Sequence, residues 1–361
     1  MAKHFRSLII KDVRKETADC ISVAFDIPPE WKEEFRFKAG QNITIRTQML
    51  GEELRRSYSI CAGPHENELR IAIKKATGGR FSTYALESLK AGQTLEVMAP
   101  TGNFQLNLNE TNKKQYIAFA AGSGITPVIS LIKTILREET LSRVTLVYGN
   151  RTRNDVIFQD VLEDLKNDFP ERLQLIHIFS REKADAPIHE GRIDAAKCEL
   201  LFKYLVPLNA DAEFLLCGPS PMIFGVRDWL LQKKVNSSRI HYELFADPGD
   251  PQQPSSKTDS PSAGISRQKS HVTLRLDGVS HDFQLPFKGE SILDAAIKQG
   301  ADLHYACKAG VCASCRAKLL EGKVTMDHNY ALAEEELEDG FILTCQSHPD
   351  SERVVIDYDI R

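Results

Sequence analysis

The chain has 361 residues, 42% of them hydrophobic and 27% charged, and a net charge of −4. That length suits two or three domains of ordinary soluble composition. The near-neutral balance offers no basic surface to nucleic acid or an anionic membrane, and no window is apolar enough to span a bilayer.

The N-terminal run Met1-Ala2-Lys3-His4-Phe5-Arg6 has no apolar stretch of signal-peptide length. A cytoplasmic setting with reduced cysteines is therefore expected. Up to about residue 110 the chain reads as β. Short alternating runs recur at 8–13, 21–25, 43–45, 69–73 and 95–98, punctuated by Ala39-Gly40 and Ala91-Gly92. This rhythm predicts an antiparallel β-barrel over 1–110, with one helix at 82–89. Within it, Arg56-Ser57-Tyr58-Ser59 lies on a strand, so Arg56 and Tyr58 share a face. A guanidinium there can hold a diphosphate, and a ring can stack on a flavin, with the Ser59 hydroxyl near its reactive end. A solvated strand surface fits the same letters. Gly79-Arg80-Phe81-Ser82-Thr83, just before the predicted helix, offers amides to an anion. An ordinary capped loop is the alternative.

From about residue 113 strands and helices alternate. Strands are predicted at 116–120, 144–148, 173–179, 213–217 and 240–245, and helices near 127–138, 156–167, 194–204 and 221–233. The pattern predicts an α/β doubly wound parallel sheet over 111–246, with ligands at the C-terminal strand ends. Gly122-Ser123-Gly124-Ile125-Thr126-Pro127 follows the first of these strands. Its glycines let a dinucleotide diphosphate approach the backbone, and Thr126 and Pro127 read as N-cap and first helical residue. The second strand ends in Tyr148-Gly149-Asn150-Arg151, a base where an NAD site often carries an acid. Ser180-Arg181 follows the third strand, and Arg192 lies beyond it. Arg151, Arg181 and Arg192, with Ser180, favour a 2′-phosphate and hence NADPH over NADH; three solvated arginines are the alternative. The fourth strand closes in Cys217-Gly218-Pro219-Ser220-Pro221-Met222. Gly218, Pro219 and Met222 leave room for a flat ring. Cys217 contacts that ring or serves as buried filler. Glu243 reaches toward the same place. Ser59, Cys217 and Glu243 are the catalytic candidates.

Residues 247–270 hold four Pro and six Ser with almost nothing apolar, a flexible linker that cannot bury a core. The α+β domain at 271–361 opens with a hairpin at Asp277-Gly278. A helix at 291–298 ends at Gly300, followed by a strand near 317–324, an acidic helix near 331–338 and a closing strand at 354–358. This domain carries 9 basic and 16 acidic residues, a balance of −7 against +3 for the rest. Electrostatic docking and simple solvation both fit that asymmetry. Cys307, Cys312, Cys315 and the distant Cys345 have the C-x4-C-x2-C…C spacing of a plant-type [2Fe-2S] cluster. A zinc site usually pairs two C-x2-C units, and only Cys312 and Cys315 form one.

The order R-x-Y-S, G-G-x-x-S, G-x-G-I-T-P, C-G-P-x-P-M resembles the ferredoxin–NADP reductase superfamily, and the cysteine domain resembles a plant-type ferredoxin of β-grasp fold. Within that group the chain most resembles the reductase components of bacterial ring-1,2-phenylacetyl-CoA epoxidases, in Gly51-Glu52-Glu53-Leu54-Arg55-Arg56, Tyr148-Gly149-Asn150-Arg151-Thr152 and Tyr305-Ala306-Cys307-Lys308. The resemblance implies that Arg56, Tyr58, Ser59 and Gly79 to Thr83 hold FAD. It implies that Gly122 to Pro127 and Cys217 to Met222 hold NADPH, and that the four cysteines ligate the cluster. Electrons would then run from NADPH through FAD and [2Fe-2S] to a multicomponent oxygenase, the di-iron phenylacetyl-CoA epoxidase of phenylacetate catabolism. An aromatic-ring or steroid hydroxylase is the alternative acceptor. A non-enzymatic electron carrier or redox sensor is the alternative of another class.

Overall fold

A computed structural model describes residues 5–49, 51–245 and 269–360. The first unit contains β1 (Phe5–Thr17), β2 (Cys20–Asp26), β3 (Asn42–Met49), β4 (Glu52–Ser59), β5 (Leu69–Lys74), helix α1 (Arg80–Ser88) and β6 (Thr94–Thr101). Its strands run antiparallel in the order β4-β3-β6-β1-β2-β5. A bridge between Ile60 and Ile71 joins the two edges and closes the barrel. Period-two alternation sends Leu8, Ile10, Val23, Phe25, Ile43, Ile45, Ile71, Ile73 and Val97 into one core. Helix α1 caps it with Phe81 and Ala85.

The second unit follows as β7 (Gln115–Ala121), α2 (Ile125–Glu138), β8 (Arg143–Asn150), α3 (Gln159–Asp168), β9 (Leu173–Phe179), α4 (Ala195–Tyr204), β10 (Glu213–Gly218), α5 (Ser220–Gln232) and β11 (Ile240–Leu244). The strands are parallel, in the order β11-β10-β7-β8-β9. After β9 the chain returns past β7 to lay down β10, so the order reverses between β7 and β10. Crevices at such reversals hold ligands. A Cβ on Gly124 would lie 2.1 Å from the Cys217 carbonyl oxygen, so the loop after β7 presses directly on the end of β10.

Thr126 is not the N-cap of α2. A short 3-10 turn over Gly122–Gly124 runs straight into the helix and leaves Gly124 as the cap. Thr126 sits inside the first turn, where its hydroxyl donates to the Ser123 carbonyl at 3.0 Å. Pro127 is accordingly the third helical residue. Helix α1 likewise starts at Arg80 behind Gly79, two residues before the predicted start.

The third unit holds β12 (Lys269–Leu276), β13 (Val279–Pro286), α6 (Ile292–Lys298), β14 (Arg316–Glu321), β15 (Val324–Met326), α7 (Glu334–Glu338), β16 (Phe341–Leu343), β17 (Ser347–Pro349) and β18 (Arg353–Asp357). Its main sheet is ordered β13-β12-β18-β14-β16. Asp277 and Gly278 both take positive φ, as a two-residue hairpin turn requires. Ser291 caps α6 by accepting from the Asp294 amide. The single strand expected near 317–324 is two strands. Gly322, at φ 91°, breaks it where the chain passes the Arg353 carbonyl, and β15 pairs instead with β17. The acidic helix spans only Glu334–Glu338, because Asn329 holds 331–332 in a loop by accepting from both amides. Of the expected linker, 247–268 lies outside the described residues, while Lys269 and Ser270 belong to β12. Among the described residues no helix is long and apolar enough to cross a membrane.

Replacing Gly124 with Ala would drive a methyl into the Cys217 carbonyl. Overpacking of this kind costs roughly 1–3 kcal/mol. The urea-unfolding midpoint of Gly124→Ala should fall accordingly, and an unchanged midpoint would show that the loop does not press on β10.

Candidate electron-transfer site at the meeting of three units

An arginine rim forms where β8 and β9 end. The Ser180 amide donates to the Asn150 carbonyl, the Arg181 amide to the Arg151 carbonyl, each at 2.9 Å, and the Gly191 amide to Phe179 at 2.8 Å. These bonds gather Arg151, Ser180, Arg181 and Arg192 along one edge, all of them exposed. Nearby Arg153 pairs with Glu182 at 3.0 Å. The three rim arginines have no such ion pair among the described residues. Tyr148 donates to the Gly122 carbonyl at 3.0 Å and pins the glycine loop. The buried Asn150 amide is left without a partner among the described residues. Unpaired cations and an orphaned amide beside a glycine loop suit a nucleotide diphosphate and an additional phosphate.

The candidate reactive end lies at the reversal of strand order. Register places Cys217 of β10 opposite Glu243 of β11. Ser59, at the end of β4, donates to Glu243 Oε2 at 2.9 Å. The three catalytic candidates therefore converge from two units. Burial pushes the Cys217 thiol up, so it stands neutral. Burial also pushes the Glu243 carboxyl up to about 7, against hydrogen bonds from Ser59 and Asn42 that hold it lower. Sequence reasoning missed Asn42. It is buried at the head of β3, opposite Ser59 in register, and accepts from Thr101 at 3.2 Å. Only the strand register could have singled it out.

On the flavin side, Tyr58 is half-buried with its ring 6.0 Å from Phe81. The Phe81 ring belongs to the barrel core, which leaves its backbone amide for any ligand. Arg56 is exposed and donates to the Arg55 carbonyl at 2.8 Å. Arg80 pairs with Glu52 at the surface. The Ser82 hydroxyl is engaged with Gly79 and Ala76, and the Thr83 amide with the Gly79 carbonyl. The start of α1, at Gly79, has no side-chain cap. Its first-turn amides are the groups left for an anionic diphosphate.

Among the described residues, no three metal-binding side chains are placed to hold a single ion. The four cysteines stand instead in two pairs. Contact between Cys307 and Cys312 pushes the first up and draws the second down to about 6, and contact with Cys345 pushes Cys315 up. Two thiol pairs supply the four sulfur ligands of a two-iron cluster. The Ala309 amide donates to Cys307 Sγ at 3.3 Å. Positive φ at Lys308, Gly310 and Ala313 coils the loop. Val311 and Cys307 pack in the same apolar cluster as Met222 and Ala121, so the cysteine loop lies against the nucleotide-binding unit.

An oxidoreductase FAD-binding domain matches residues 7–106, an oxidoreductase NAD-binding domain matches 119–228, and a 2Fe-2S iron–sulfur cluster binding domain matches 274–350. The chain is 43% identical over 357 residues to one of the subunits of 1,2-phenylacetyl-CoA epoxidase from Escherichia coli, covering 99% of this chain and 98% of that protein. It belongs to the oxygenase reductase family with FAD-binding, NAD-binding and 2Fe-2S domains. The reductase is also 31% identical to the ferredoxin reductase component of 3-ketosteroid-9-alpha-monooxygenase from Rhodococcus rhodochrous, over 97% of this chain and 96% of that one. Its fold matches phthalate dioxygenase reductase with a TM-score of 0.57 at 24% identity, covering 98% of each chain. The reductase is thus an electron-transfer oxidoreductase that serves an oxygenase.

Glu243 makes the reductase pH-sensitive in a defined direction. Its carboxyl rises from an ordinary 4.5 to about 7 on folding, so the folded state binds the extra proton between those values. The stability it contributes is complete below about 4.5 and is lost as pH rises through 7. Glu243→Gln should flatten that part of the profile of unfolding midpoint against pH; an unaltered profile would place the titration elsewhere.

Proposed function

We propose that this reductase takes hydride from NADPH and supplies electrons to a di-iron phenylacetyl-CoA epoxidase. The observation that carries the acceptor is the end-to-end 43% identity to a component of such an epoxidase, against 31% to a steroid monooxygenase reductase. The flavin site lies in 1–110, the nucleotide site in 111–246 and the cluster in 271–361. A reducing cytoplasmic setting belongs to the same reading, since none of the eight cysteines forms a disulfide.

When bound, FAD and the cluster turn a two-electron hydride into electrons delivered singly. The chain's own residues bind, orient and shield. Arg56 and the open amides of α1 receive the FAD diphosphate, and Tyr58 lies along its ring. Arg151, Ser180, Arg181 and Arg192 take the 2′-phosphate of NADPH. Gly124 lets the loop after β7 close on the end of β10, and the neutral Cys217 thiol is buried behind that junction. Ser59 and Glu243 hold the two units in register at 2.9 Å, and Glu243 can keep or release a proton near pH 7. Cys307, Cys312, Cys315 and Cys345 would hold the cluster through their four sulfurs.

Two measurements test this. NADPH consumption should become strong only when the purified reductase meets both a phenylacetyl-CoA oxygenase and phenylacetyl-CoA, with an epoxide as product. Equal consumption without the thioester, or coupling to a steroid hydroxylase instead, would overturn the acceptor assignment. A charge-assisted hydrogen bond contributes about 1.5–3 kcal/mol. The combined variant Arg151→Ala, Arg181→Ala, Arg192→Ala should therefore raise KM for NADPH at least tenfold while leaving NADH almost unaffected. Equal losses with both nucleotides would dismiss the 2′-phosphate site.

A further inference from the structure

Arg55 stands one residue before Arg56 on β4, so its side chain leaves by the opposite face. That side chain is only 5% exposed. Its Nε donates to Glu53 at 2.7 Å within its own unit. Its other hydrogen bonds cross to the third unit. Nη1 donates to the Leu303 carbonyl at 2.8 Å, and Nη2 to Asp302 Oδ1 at 3.1 Å. The guanidinium carbon lies 4.3 Å from the centre of the Tyr305 ring and 5.1 Å from that of Phe5. Arg46, paired with Glu96 at 3.0 Å, adds a 4.0 Å contact to the other Asp302 oxygen. Residues 302–305 run directly into Cys307. One buried cation thus grips the segment that leads into the cysteine loop, and three residues further along its own strand stands Tyr58.

A guanidinium is planar and presents a fixed fork of donors. Here the fork is filled by a carbonyl and a carboxylate while the flat face lies on an aromatic ring. That combination fixes both distance and orientation of the partner segment, and no lysine reproduces it. Burying the charge is unfavourable unless every donor is met, and the third unit meets two of the three donor positions and supplies a ring. With the third unit withdrawn, Glu53 and Phe5 would remain, and water would take the vacated donors. The contact is therefore strong when closed and tolerable when open.

We infer that Arg55 is a positioning residue that docks the cluster-bearing domain on the flavin domain for electron transfer within the chain. The inference rests on the reading that Tyr58 lies along FAD and that the four cysteines hold the cluster. Asp302 is 76% exposed on its side chain, so Asp302→Ala weakens the same contact without disturbing a core.

The test uses the full chain loaded with FAD and cluster. Arg55→Ala should enlarge the radius of gyration measured by small-angle X-ray scattering and slow cluster reduction by the flavin at least tenfold in stopped flow. Reduction of ferricyanide at the flavin should stay as in the native chain. Arg55→Lys should restore the compact form only in part and only at low salt. Asp302→Ala should shift both readings in the same sense as Arg55→Ala, by less, and stands in for it if Arg55→Ala does not fold. Native scattering together with a native cluster-reduction rate in Arg55→Ala, or in its stand-in, would overturn the inference. A native chain that bound no iron, or in which NADPH reduced no flavin, would instead overturn the underlying reading, and iron content and flavin absorbance report that separately.

Discussion

The hydrogen bond from Ser59 to Glu243 joins a β-barrel to a parallel sheet at the reversal of strand order. Ser59 ends β4 and Glu243 lies on β11, so neither unit holds the reactive end alone. The rest of the site follows from that junction. Cys217 is fixed opposite Glu243 by strand register, Gly124 by contact with Cys217, and Asn42 by its pairing with Ser59. The same junction raises the Glu243 carboxyl, because two units packed together exclude the water that would hydrate it.

A second junction, through Arg55, brings the cysteine loop alongside. The two junctions differ physically. Ser59 and Glu243 join elements with extensive apolar packing around them, whereas Arg55 grips a short segment with polar and aromatic contacts. Polar contacts around an exposed carboxylate such as Asp302 re-form with water at little loss. The chain thereby combines one seam with apolar packing around it and one built on a buried cation.

Much of the architecture was legible in the letters. Alternating runs marked the barrel strands, the switch to strand–helix alternation marked the parallel sheet, and the cysteine spacing marked the cluster loop. These signals are local, so a linear reading finds them. What escaped was set by partners distant in sequence. Gly322 breaks a strand because the Arg353 carbonyl passes it. The strands β16 and β17 are three residues each, too short for periodicity to declare. Thr126 looked like a cap because Thr usually caps, but the preceding glycine turn had already begun the helix. Arg55 and Asn42 carry no motif, and their roles arise from 302–305 and from Ser59. Arg151 and Arg181 each follow a strand end, but their gathering depends on bonds between Ser180, Arg181 and the end of β8.

The approach of Gly124 to the Cys217 carbonyl has a consequence for how such a protein can change. At that point main chain meets main chain with no side chain between them. No substitution can tune it gradually, and a lineage can only keep the glycine or rebuild the loop. The arginines at the rim are exposed, and any one of them can be exchanged without repacking a core. A change among these arginines is therefore far less constrained by packing than a change at Gly124.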